Sequence, residues 1–172
     1  MMLGAVYLYT KRAARGNAAF EHALALDRNL AQAHGWIGTG KLHVLRPEET
    51  EAHIVEALRL SPRDTSVYSW IYMAGLGKNQ LGLWDHAVAW FERAIETNRS
   101  IAHPYFALGG TLVRLGQLSE ARSAVVAGLA LNPSFTIARY RANWTAANDE
   151  PMFLAWLERM IEAMRVAGVP EA

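Results

Sequence analysis

The chain has 172 residues, 52% of them hydrophobic, no cysteine, and 17 basic against 16 acidic side chains. A balance this close to neutral gives no bulk attraction to nucleic acid or to an anionic membrane, and the lack of cysteine excludes disulfides and thiolate chemistry. The apolar run of MMLGAVYLYTKR is short and follows no basic residue, and SVYSWIYMAGLG falls well short of the roughly 20 residues that span a bilayer. No signal peptide, no membrane association and a reducing, cytoplasmic setting are therefore expected.

Apolar periodicity and turn residues predict helices over about 1–13, 16–28, 30–44, 47–60, 64–80, 83–97, 101–115 and 117–131. Pro47 with Glu48 and Glu49 reads as a helix start, and Ser119 as a cap. Gly82 and Gly116 stand where a helix end needs a left-handed residue. Pro62 and Pro133 close their segments, because proline cannot continue a helix. After Pro133, SFTIARYRANW predicts a short helix. NDEPMFLAWLERMIEAMRVAGVP predicts a longer one, starting near Asn148–Asp149 and ended by Gly168 and Pro170. Its stripe of Phe153, Leu154, Leu157, Met160, Ile161 and Met164 suits a helix that caps a stack.

The helices repeat. Phe20, Ile54, Phe91 and Val125 form one column, separated by 34, 37 and 34 residues. Ala23, Ala57, Ala94 and Gly128 form a second with the same separations, and Gly4, Gly38, Gly75 and Gly109 a third. Small residues on both helices of a unit permit close approach, and the large apolar residue fills the space beside them. The three extra residues near 63–75 rotate a helix by about 300°, so a longer first helix in that unit is expected.

These columns resemble the tetratricopeptide repeat, a helix–turn–helix unit with small residues at its eighth, twentieth and twenty-seventh positions. Tyr105, Leu108, Gly109, Gly116, Ala121, Gly128 and Pro133 fit that pattern best. Gly75, Gly82, Ala87, Phe91 and Ala94 follow, with Arg99 in place of proline. The second unit has Thr50, and the first Arg28, where the pattern differs. The resemblance implies an all-α right-handed superhelix with units of roughly 1–30, 31–64, 65–101 and 102–135 and a cap over 136–172, as a single domain. Three phrases, Ser61–Asp64, FTIARYR and MRVAGVPEA, are also similar to C-terminal repeat regions of bacterial class III adenylate/guanylate cyclase-related proteins. That narrower resemblance implies a regulatory or assembly module and brings no catalytic residue with it.

No phosphate-binding loop, nucleophile elbow or zinc-protease signature is present, and no catalytic, cofactor or metal site is expected. GWIGTGK lies within a predicted helix, where packing accounts for its glycines. The six histidines show no i, i+4 pair; His43 and His53 are close enough in the pattern to meet across a helix pair beside Glu51, but surface or groove positions are expected for them rather than a metal site. Glu48, Glu49 and Glu51 read as a solvated first turn. The family resemblance places the partner surface on the concave face. By position it names Tyr9, Gln32, His43, Tyr72, Asn79, Gln80, His103, Phe106 and Arg114, with Leu8, Leu42, Leu76 and Val113 beside them. Gly35 and Thr39 stand where some relatives carry a clamp for a C-terminal carboxylate, which disfavours that ligand. The expected role is a non-catalytic scaffold for a peptide or helix. The alternative is a self-associating or regulatory module that dimerises through its apolar N-terminal helix.

Overall fold

The structure, a computed structural model, describes residues 2–172. Its described residues form α1 (Met2–Leu8), α2 (Ala13–Leu26), α3 (Ala31–His43), α4 (Thr50–Leu60), α5 (Val67–Gln80), α6 (Trp84–Thr97), α7 (His103–Arg114), α8 (Leu118–Leu131), α9 (Ile137–Ala147) and α10 (Pro151–Ala167). The first eight pack as four hairpins, α1 on α2 through α7 on α8, and each second helix also packs on the next first helix.

The glycine column explains the hairpins. A Cβ at Gly4 would lie 2.7 Å from Phe20, at Gly38 2.8 Å from Ile54, at Gly75 2.5 Å from Phe91 and at Gly109 2.8 Å from Val125. The two columns read from the sequence are therefore the two sides of one contact, made four times. Each glycine also lies 22 residues before the end of its second helix: 4 to 26, 38 to 60, 75 to 97 and 109 to 131. All of the irregularity thus falls before Gly75. The loop at 61–66 has six residues, against four at 27–30 and five at 98–102, and Gly75 is the ninth residue of α5 where Gly38 is the eighth of α3. The expected helix extension is shared with the loop, where the Asp64 carboxylate accepts from Ser66 N at 2.8 Å.

A fourth column was hidden by residue type. Lys11 and Leu45 have φ of 58°, and Gly82 and Gly116 have φ of 75°, at separations of 34, 37 and 34. Every unit makes its turn with one left-handed residue. Two units make it with a side chain that disfavours this conformation by roughly 1–2 kcal/mol.

Two expectations need correction. Ser119 is not a cap, because α8 begins at Leu118 with Gln117 before it and no side-chain cap bond. The acidic run is not merely solvated. Glu49 pairs with Lys41 at 2.8 Å and with Arg46. Glu51 pairs with Lys78 at 2.6 Å and accepts from the Trp90 indole at 3.2 Å, which joins the second unit to the third. Pro47–Glu49 form one 3-10 turn ahead of α4.

The tail does more than end the stack. Helix α10 packs chiefly on α7 and touches α8 and α9. It buries Phe153, Trp156, Leu157, Met160, Ile161 and Met164. Its start lies against the first two units. Asn148 Nδ2 donates to the His43 carbonyl at 2.7 Å, Lys11 pairs with Asp149 at 2.9 Å, and Lys11 N donates to the Ala147 carbonyl at 3.2 Å. Beyond Gly168, left-handed at φ 104°, the chain end returns to α9, where Ile137 N and Ala138 N donate to the Pro170 and Glu171 carbonyls.

Candidate functional site

The first helices α1, α3, α5 and α7 present one shared face, and the tail divides it lengthways into two strips. One strip, built from the C-terminal ends of α3, α5 and α7, is filled by α10. The other, built largely from the N-terminal ends of α3, α5 and α7 with Tyr9 just beyond α1, is walled by α9 and left open.

In the filled strip His43 is 3% exposed, with its ring centroid 5.6 Å from those of both Trp144 and Phe153. Neither ring nitrogen has a hydrogen-bond partner, and burial lowers its pKa to about 4, so the imidazole is neutral. Asn79 Oδ1 accepts from the Trp156 indole at 2.9 Å, while Asn79 Nδ2 donates to Thr111 Oγ1 at 2.9 Å. Gln80 has buried, unpartnered amide atoms. Arg114 donates to the Arg159 carbonyl of α10 at 2.6 Å. A Cβ at Gly110 would meet Met160 and Met164 at 3.1 and 3.2 Å, so glycine there admits α10.

The open strip holds two adjoining cavities of about 700 and 590 Å³ that share Tyr9, Tyr68 and Ser69. Tyr72, His103, Phe135, Tyr140 and Trp144 line the larger. Gln32, Trp36 and Trp70 line the smaller. No carboxylate lines either cavity, and Arg139 is the sole fixed cation. Burial lowers the His103 pKa and raises those of Tyr72 and Tyr140, which keeps all three neutral around pH 7. The buried Tyr140 hydroxyl faces the Tyr72 hydroxyl and the Trp144 indole.

The residues named from sequence therefore separate. His43, Asn79, Gln80 and Arg114 lie in the filled strip. Tyr9, Gln32, Tyr72 and His103 lie in the open one. Phe106 belongs to neither, because it is fully buried, stacks on Phe135 at 3.8 Å and faces Gly128. Tyr68, Tyr140 and Trp144 were missed. The first is displaced by the extra residues before α5, and the other two lie outside the repeat. The i, i+3, i+7 stripe of Ile137, Tyr140 and Trp144 was the available signal.

The GWIGTGK glycines are packing positions: Gly35 seats the Trp70 indole and Gly40 faces Asn17. His53 meets His34 rather than His43, with Nδ1 atoms 3.2 Å apart across α3 and α4. Among the described residues no group of three or more His, Cys, Asp or Glu side chains is placed to hold a metal ion.

No protein-family profile matches the chain, and no curated protein matches it. Solved structures do. A crystal structure of MamA shares 18% identity over 91% of this chain and 86% of its own, at a TM-score of 0.65. PilW, described as a type IV pilus biogenesis factor, shares 20% over 93% and 71%, at 0.72. YrrB, described as a TPR protein with an unusual peptide-binding site, shares 24% over 90% and 81%, at 0.59. The fold is that of the tetratricopeptide superhelix, all α, as the resemblance implied.

Proposed function

We propose that the protein is a non-catalytic interaction scaffold that receives a peptide segment of a protein partner in the open strip. One observation carries the reading. The concave face is already packed with α10 along one side, whereas the other keeps two adjoining, aromatic-lined cavities. The peptide-binding site described for YrrB gives a precedent on this fold. A photo-crosslinking residue at Tyr68 tests it, with one at the exposed, distant Val126 as control. Crosslinks to an extended partner segment from Tyr68 alone are expected. Equal yields from both positions remove the open strip from the account.

A second reading is self-association, within a regulatory module of a cyclase-related or winged-helix signalling protein in the cytoplasm. Leu3 at 63% and Val6 at 55% exposure leave an apolar edge on α1, and the cyclase-like phrase at Ser61–Asp64 forms the one lengthened loop. Light scattering that shows a monomer at micromolar concentration refutes the dimer.

A further inference from the structure

We infer that the open strip selects a proline-rich segment in the polyproline II conformation, bearing one carboxylate toward Arg139 and no basic residue. This rests on the peptide-binding reading above and narrows it to one ligand class. The walls supply the first argument. Tyr9 is exposed and Trp36, Tyr68 and Trp144 are half-buried along the two cavities, whose lining also includes the buried Tyr72 and Tyr140. Flat aromatic faces of this kind seat pyrrolidine rings.

Hydrogen bonding supplies the second. A polyproline II segment makes no internal hydrogen bonds, so its carbonyls need outside donors. The strip is walled by helices and holds no open strand edge, so an added β-strand finds no ladder to extend here. Side-chain donors remain. Burial keeps the Tyr9, Tyr72 and Tyr140 hydroxyls in their donating form, and Tyr9 is exposed beside both cavities. A helical ligand offers these hydroxyls no carbonyl along its sides, because those are bonded internally. A polyproline carbonyl does.

Charge supplies the third. With no lining carboxylate and Arg139 on the wall of the larger cavity, a lysine or arginine in the ligand would be desolvated unpaired, whereas an aspartate or glutamate has a partner. Arg139 is exposed and uses only Nη1, on the Ser134 carbonyl at 2.8 Å, which leaves the rest of its guanidinium fork for a carboxylate.

The test is selection from a phage-displayed library of random dodecapeptides on the full chain, followed by fluorescence polarisation of a recovered peptide. Recovered sequences should be rich in paired prolines, carry one acid to one side, and lack Lys and Arg. Tyr68→Ala should weaken the labelled peptide about thirtyfold, the loss of an aromatic hot spot. Arg139→Glu should turn the preference for an acid into one for a base. Thermal unfolding by circular dichroism confirms that both variants are folded. Recovered peptides without proline that still depend on Tyr68 overturn the polyproline inference and leave the peptide reading intact. Peptides indifferent to Tyr68→Ala, or none recovered, overturn both.

Discussion

The two strips of the concave face are made from the same helices and differ in what covers them. Along the C-terminal ends of α3, α5 and α7, side chains that point into the face are buried against α10 and the end of α9: His43 between Trp144 of α9 and Phe153 of α10, Asn79 bridging Trp156 and Thr111, Gly110 under two methionines. The N-terminal ends meet α9 only loosely, and Tyr68, Tyr72 and His103 line empty space instead. The difference teaches that position in a repeat does not settle the role of a residue. One face serves as core where the chain supplies its own helix, and as surface where it does not.

The comparison predicts that substitutions in the filled strip act on stability and those in the open strip on binding. Trp156→Ala should show the largest effect, a loss of about 3–5 kcal/mol, because it opens a cavity beside Trp144 and Phe153 and leaves Asn79 Oδ1 unpaired. Urea unfolding measures it, and a loss below 1 kcal/mol would mean that α10 is a detachable ligand rather than part of the core. His43 comes next. The unfolded imidazole binds a proton near pH 6.5, the folded one only near 4. Its contribution is constant above about pH 6.5, and stability falls by about 1.4 kcal/mol per unit between those values as pH drops. Comparing urea midpoints at pH 7 and pH 5 stays above the window of Glu49 and Glu51, whose ion pairs hold their pKa values down. In His43→Phe the pH 7 to pH 5 difference should shrink, leaving the part that His53 and His103 contribute, whose pKa values burial also lowers.

The repeat was legible because its signal lies in columns of small residues, and steric contact at Gly4, Gly38, Gly75 and Gly109 is a property of the residue type alone. The left-handed column was half legible. Gly82 and Gly116 announce it, whereas Lys11 and Leu45 adopt the same conformation against their preference because the hairpin around them demands it. The division of the face was not legible. It depends on α10 reaching back from Pro151 to His43, a long-range contact held by Asn148 and Lys11, and no local pattern encodes where a terminal helix comes to rest. Sequence position thus identified Asn79 and Tyr72 as members of one face without separating the residue that is covered from the one that is not.

Asn79→Ala sharpens the boundary at smaller amplitude. It leaves the Trp156 indole N–H buried without an acceptor, a loss of about 1–3 kcal/mol. A double-mutant cycle with Trp156→Ala should be strongly non-additive, because each partner removes the same bond.

The smallest stability effect is expected where the functional effect is largest. Tyr68 is half-buried and lines both cavities, so Tyr68→Ala removes wall rather than core. It should change unfolding free energy by under about 1 kcal/mol, as surface substitutions do, while weakening the bound segment. The two strips can then be told apart by the ratio of binding loss to stability loss: high at Tyr68, low at Trp156. If Tyr68→Ala destabilises the fold as much as Trp156→Ala does, the space beside α9 is part of the packed interior, and the partner must be sought on the outer face.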